Sequence, residues 1–392
     1  MPMQHAEKSA LVFDGFVELQ FAPVRETFVA NFEQNLELGA AVAVYQRGKL
    51  VVDLAGGLFA RGSEIKYSRE TLQPIFSATK GITALAANML SDRGQLDLEA
   101  PVVDYWPEFA QAGKFWIPVR CLLNHQSGVL GLDETISLEQ LLDWYVVVEA
   151  LAKQRPDWDS CAMHGYHSMT FGFLVGEVIR RITGLSVGTY VAQEIARPLH
   201  GDLFIGLPKG IEVRVAPIHL PEVDLQHLRL PDSGPYAARA LNWILPPLRP
   251  TDANRPEVQA AELPAINGIA SARSLAKMFA AMIGPIDGVR LLSWEAMNQA
   301  RLERWRGLDV VMGVENAVGL GFLLPTEWCP LGGAGSFGTA GFGGSRAWAN
   351  PELELAFAYT PNLCSLGHFD TRETALSSAA VACAMSAARS KL

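Results

Sequence analysis

The two ends of the chain carry matching strand pairs. Near the start, "AAVAVYQRGKLVVDLAGG" holds two β-rich runs joined at Arg47-Gly48-Lys49. Near the finish, "SRAWANPELELAFAYTP" holds two more around Asn350-Pro351-Glu352. Such runs, bounded by turn residues, read as hairpins. A segment of helical period, with Phe28, Phe32 and Leu36 on one face and Gly39 as its stop, precedes the first hairpin. A second helical segment, "TRETALSSAAVACAMSAARSKL", follows the last. Strands at both ends predict one antiparallel sheet built from the two termini and flanked by the terminal helices.

Between about Thr79 and Pro285 the periodic segments are helical, including "ITALAANMLSDRG", "TFGFLVGEVIRRITG" and "SARSLAKMFAAMIG". The stretch "HLPEVDLQHLRLPDSGPY" has the proline and glycine of a long surface loop. The expected architecture is therefore α/β plus all-α. Residues 1–78 and 285–392 form the sheet domain, 79–284 a mostly helical domain inserted into it, and a cleft lies where they meet.

Bulk properties remove several functions. The net charge of -9, without a basic stripe, argues against nucleic-acid binding. No stretch reaches the roughly 18 apolar residues of a membrane-spanning helix. "MPMQHAEKSALVFDGF" lacks the pattern of a secretory signal. The five cysteines (121, 161, 329, 364 and 383) are scattered and odd in number, which predicts free thiols and a cytoplasmic, reducing setting.

Ser-x-x-Lys occurs three times, and context separates the copies. Ser63 and Lys66 lie in a polar loop, and Ser274 and Lys277 inside a helical run. Ser77 and Lys80 differ: an extended segment with Pro74 leads in, and Ile82, Leu85, Ala86, Met89 and Leu90 then form one apolar face. A serine at a helix N-terminus sits beside unpaired N–H groups and the positive end of the helix dipole. Lys80, one turn on, returns to the same side. Its amine can accept the serine proton only when uncharged. Lowering a lysine pKa by about three units takes on the order of 4 kcal/mol of desolvation or positive neighbours. An N-cap serine followed by a solvated lysine would give the same local sequence.

Four stretches in order, "IFSATK", "LLNHQSGV", "GYHSMTFGFLVGEVIRRITG" and "FGTAGFGGS", resemble the serine β-lactamase-like superfamily. The likeness is greatest to class C β-lactamases and to the family VIII carboxylesterases that share their fold, and spans roughly residues 25–385. The resemblance implies that Ser77 is the acyl-accepting nucleophile and Lys80 its proton partner. Tyr166, heading Tyr166-His167-Ser168, matches the tyrosine of the family's Tyr-x-Asn motif, with Ser168 in the asparagine's place. The family's Lys-Thr-Gly is best matched by Thr339-Ala340-Gly341, and the amide of the following Phe342 would share the oxyanion hole with that of Ser77. Ser168, Thr339, Ala340 and Gly341 are then the substrate-binding positions. Loss of the cationic lysine points away from carboxylate-bearing substrates and towards uncharged esters.

Other motifs read as scaffolding. Gly184-Leu185-Ser186-Val187-Gly188 matches a nucleophile elbow, but a helix precedes it where a strand is needed. Gly184 is expected as a helix cap and Ser186 as the next helix start. His164 and His167 lack a third metal ligand. His125 is expected to pin its turn, and His368 presents no nucleophile. Trp144, Tyr145 and Trp243 are candidates for an apolar acyl pocket or plain core.

The combined expectation is a cofactor-free, metal-free serine carboxylesterase for small or medium acyl esters, working through an acyl-enzyme and retaining slow β-lactam hydrolysis. The competing readings are an acyltransferase or a β-lactamase/peptidase on the same fold, and a non-catalytic binding protein.

Overall fold

The structure, a computed structural model, describes residues 13–222, 234–366 and 370–389. The centre of the expected loop at 219–236 and His368 lie outside these residues.

The sheet predicted from the chain ends is present. Strand β1 (Phe13–Val17) and helix α1 (Ala22–Glu33) lead into β2 (Gly39–Gln46) and β3 (Lys49–Gly57). The turn between β2 and β3 places Arg47 and Gly48 at φ 51° and 77°, the left-handed pair that matches the twist of a two-residue hairpin. Helices α2 (Thr79–Asp92), α3 (Val119–Leu123), α4 (Trp144–Lys153), α5 (Thr170–Thr183) and α6 (Ala272–Ile283) follow among others. The chain returns through β4 (Phe337–Ala340), β5 (Arg346–Asn350) and β6 (Leu355–Pro361) to α7 (Thr371–Arg389). Strand order is β1-β3-β2-β6-β5-β4, antiparallel throughout. The pairing of β2 with β6, from Gln46 opposite Leu355 to Ala40 opposite Pro361, joins the two ends of the chain.

The two faces of this sheet differ in side-chain size. Val42, Val44, Leu54, Trp348, Phe357 and Tyr359 pack under α1 and α7, against Phe28, Phe32 and Leu376. The opposite face is built from Ala41, Ala43, Ala55, Ala347, Ala349, Ala356 and Ala358. Period-two alternation sends the two sets to opposite sides. Small side chains let α6 lie close on that inner face, against β2, β5 and β6. Although α6 falls within the central stretch of the sequence, it is therefore a layer of the sheet. Beyond it, α2 packs against α5 and its neighbours.

The cysteine expectation needs correction. Cys121 is joined to Cys161 in a disulfide, while Cys329, Cys364 and Cys383 are buried free thiols. The partners are 40 residues apart in sequence. They meet because Asn124–Gly128 folds back on the segment approaching Tyr166, with the Cys161 amide donating to the Gln126 carbonyl at 3.0 Å.

Enlarging the inner face should separate α6 from the sheet. Ala358→Leu, at a fully buried position, is expected to destabilise by about 1–3 kcal/mol through overpacking. A urea midpoint equal to that of the parent protein would contradict this account of the packing.

Candidate active site

Ser77 lies in a single 3-10 turn, Phe76–Ala78, that runs directly into α2. Phe76, just before it, has φ 47°, a left-handed conformation unfavourable for a bulky residue. The turn is held from three sides. Thr79 donates its hydroxyl to the Phe76 carbonyl and accepts the Gly268 amide at 2.8 Å. Thr339, on β4, directs its hydroxyl to the carbonyls of Ser77 and Ala78 at 3.5 and 3.4 Å. Gly341 approaches so closely that an added Cβ would fall 2.1 Å from the Ile75 carbonyl oxygen. Only glycine fits there, and its presence brings the end of β4 and the following Phe342 against the serine turn.

Lys80 is buried, and its environment defines its protonation. Its Nζ lies 2.7 Å from the Ser168 carbonyl, 3.1 Å from the Ala265 carbonyl and 3.4 Å from Ser77 Oγ. Burial pushes its pKa well below the usual lysine range, and no carboxylate is paired with it among the described residues. The Tyr166 ring, 4.6 Å from Nζ, favours an ammonium, but a cation–π contact contributes only about 0.5–2 kcal/mol. Desolvation of an unpaired ion costs several kcal/mol and wins. A neutral amine has two N–H donors and one lone pair. The two carbonyls take the donors, which leaves the lone pair for the proton of the Ser77 hydroxyl.

Tyr166 is half-buried beside this pair. Burial raises its phenol pKa well above the ordinary value, and a hydrogen bond with Ser77 opposes that shift. At neutral pH the site thus holds a phenol and an amine biased towards neutrality. The Tyr166 backbone amide donates to Asp309 Oδ1 at 3.0 Å. The same oxygen accepts the amides of Val311 and Met312, and Oδ2 lies 3.2 Å from His164 Nε2. Burial acts to raise the Asp309 pKa, but the hydrogen bond and charge of His164 and the donated amides bring it below the usual value. Sequence reasoning missed Asp309, because "GLDVVMG" carries no local mark of its partner 143 residues away.

His125 pins its turn as expected. Its Nδ1 accepts the His167 amide, and its carbonyl accepts that of Gly165. Burial, the largest cause, drives its pKa far below the usual histidine value. Both nitrogens of His164 and of His167 are engaged by protein groups. Among the described residues no cluster of three potential metal ligands occurs. Gly184 caps α5 at φ 72°, and Ser186 caps the next helix while donating to Glu262, so the elbow-like motif is a helix junction.

A cavity of about 400 Å³ opens on Ser77. Phe76 and Phe342, in edge-on contact at 5.6 Å, flank it with Ser168, and Leu138, Ile244 and Leu263 contribute to a mostly aliphatic wall. Ser168 therefore reaches the cavity. Thr339 does not line it, because its hydroxyl is turned to the serine turn. Trp144, Tyr145 and Trp243 stand elsewhere: Trp144 donates to Glu177, Tyr145 is exposed, and Trp243 is core.

The profile of the Beta-lactamase family matches residues 28–380. The chain belongs to this family. It is 34% identical over 362 residues to the esterase/beta-lactamase LipL of Mycobacterium tuberculosis (strain ATCC 25618 / H37Rv), covering 89% of this chain and 82% of that protein. The solved structure of a family VIII carboxylesterase superposes with a TM-score of 0.88 at 34% identity, over 95% of this chain and all of that one. A penicillin-binding protein homologue from Caulobacter crescentus gives 0.87 at 35% identity, over 96% of this chain and 100% of that one. The beta-lactamase fold expected from the four motifs is therefore present.

The burial of Lys80 generates a pH dependence. The rate at which a fluorophosphonate labels Ser77 should rise with pH along a one-proton limb with its midpoint well below 10.5, because only the neutral amine accepts the serine proton. A rate that climbs only near pH 10.5 would mean that Lys80 is not desolvated in solution.

Proposed function

We propose that the protein is a serine carboxylesterase that cleaves small or medium acyl esters through an acyl-enzyme. The observation that carries the proposal is the buried Lys80 amine, its Nζ set between two carbonyls and 3.4 Å from Ser77 Oγ, with burial favouring its neutral form. Ser77 Oγ attacks the ester carbonyl as its proton passes to Lys80. The amides of Ser77 and Phe342 hold the oxyanion, at the positive end of α2. Collapse expels the alcohol, which takes a proton from the Tyr166 hydroxyl, and the Lys80 ammonium restores the phenol. Water then repeats the sequence on the acyl group and leaves as part of the acid.

The substrate class follows from the cavity wall. Aliphatic and aromatic side chains suit an apolar acyl or alcohol group. The third motif offers no lysine, and the hydroxyl of Thr339 braces the nucleophile's turn, so the anchor for a substrate carboxylate is missing there. Arg249, exposed at the rim, is the cation on that wall among the described residues, and keeps slow β-lactam hydrolysis within reach. The relatives named as esterase and carboxylesterase support the ester reading. No helix among the described residues is long and apolar enough to cross a membrane. A cytoplasmic setting lost part of its support when Cys121 proved to be bridged to Cys161.

A panel of p-nitrophenyl esters from acetate upward, run beside a chromogenic cephalosporin, tests the reading. Esters are expected to turn over far faster than the cephalosporin, and the reverse ranking would replace the proposal with a β-lactamase. Ser77→Ala should lower ester turnover about a thousandfold or more. Tyr166→Phe should lower it by about 10²–10⁴-fold, the usual worth of a positioned acid–base group. Full turnover in Ser77→Ala would remove the proposed nucleophile.

A further inference from the structure

We infer that the Cys121–Cys161 disulfide is an exchange site for a low-molecular-weight thiol, and that its opening slows the chemistry at Ser77. This goes beyond the proposed esterase activity and does not depend on which ester is cleaved.

The bridge adjoins, through Cys161, a second cavity of about 390 Å³, whose lining shares no residue with that of the ester site. Trp116, Pro118, Arg120, Pro156, Ser160 and Cys161 line it. The two sulfurs are not equivalent. Cys161 reaches the cavity and is half-buried, whereas Cys121 is fully buried in α3 and does not line it. An incoming thiolate therefore meets Cys161 first. Arg120 Nη1 lies 3.4 Å from both sulfurs. A guanidinium in that position stabilises a departing thiolate, and the more stable leaving thiolate leaves faster. The Arg120 guanidinium is itself held by Glu99 at 2.7 Å, so it is positioned before the reaction.

The step balances without a further reagent. The thiolate sulfur of the small thiol attacks Cys161 Sγ and forms a new S–S bond. The old S–S bond breaks, and its electron pair leaves on Cys121 Sγ beside Arg120. Cys161 is left as a mixed disulfide and Cys121 as a thiolate. Reverse attack by Cys121 on Cys161 restores the bridge and releases the small thiol.

The bridge is tied to the catalytic side by short backbone links. The Gln126 amide donates to the Cys121 carbonyl, and the Cys161 amide donates to the Gln126 carbonyl. The adjacent His125 accepts the amides of Gly165 and His167, on either side of Tyr166. The disulfide thus staples together the two strands of chain that hold Tyr166 in place. Cys161 has φ 64°, a left-handed conformation that relaxes more easily once the bridge is open. Asp309 still holds the Tyr166 amide, so the effect is a partial loss of alignment.

The test uses the intact, oxidised protein exposed to millimolar glutathione, followed by peptide mass mapping, with Ser77 labelling by a fluorophosphonate as the activity readout. One glutathione per chain is expected on Cys161 and none on Cys121, with labelling slowed by about 3–10-fold, as misalignment of a proton carrier predicts. Removing the free glutathione should let Cys121 expel the bound thiol and restore both mass and rate. Arg120→Gln should slow adduct formation by about tenfold while leaving the labelling rate of the untreated protein unchanged. Five titratable thiols in the untreated, denatured protein, or no adduct on Cys161 of the folded chain, would overturn the exchange site. An adduct that leaves Ser77 labelling at its original rate would overturn the coupling. Failure of the ester panel with the adduct and slowed labelling present would instead count against the esterase reading alone.

Discussion

The site depends on one buried amine that has no counter-ion among the described residues. Among the described residues carboxylates are kept from Lys80, and two separate stretches of chain enclose it, one carrying Tyr166 and Ser168 and the other Ala265. Ser168 and Ala265 supply carbonyls, and Tyr166 covers the amine with its ring. A paired lysine in the same place would hold its proton and leave Ser77 an ordinary hydroxyl. The arrangement is costly for stability, since an unpaired buried polar group weakens a fold unless its donors are satisfied. The two carbonyls satisfy them while leaving the lone pair available.

The rest of the architecture can be understood as support for that amine and its serine. The sheet presents an alanine face to α6, and the edge strand β4 runs past the Ser77 turn, where Gly341 lets backbone meet backbone. Thr339 then contributes hydrogen bonds to the carbonyls of the turn. Thr339 is thus turned to the serine turn and does not line the mostly apolar cavity beside it.

Buried polar groups recur on the far side of Tyr166. Asp309 gathers three amides and His164, and His125 gathers two more amides. None of these groups touches the serine. Their common effect is to fix the backbone of residues 164–168, so that the phenol and the Ser168 carbonyl both reach Lys80. Satisfied buried networks of this kind specify a single geometry more than they add stability.

Much of the fold was legible because its signals are local. Hairpin turns at Arg47-Gly48 and Asn350-Pro351, the period of α1 and the apolar face of α2 each lie within a few residues, and the matched chain ends implied their pairing. The proposed catalytic residues Ser77, Lys80 and Tyr166 were legible as motifs in order. Asp309, the Ala265 carbonyl, the cavity wall and the Cys121–Cys161 bridge were not, and Thr339 was assigned to the substrate when its hydroxyl faces the backbone. The sequence by itself determined which segments are strands or helices and which residues are proposed to carry the chemistry, because periodicity, caps and the Ser-x-x-Lys spacing act within one or two turns of chain. Only the tertiary structure decided the protonation of Lys80, the partner of Cys121 and the direction of the Thr339 hydroxyl. Desolvation and long-range contact depend on which distant segments arrive at a point, and no local pattern encodes that arrival.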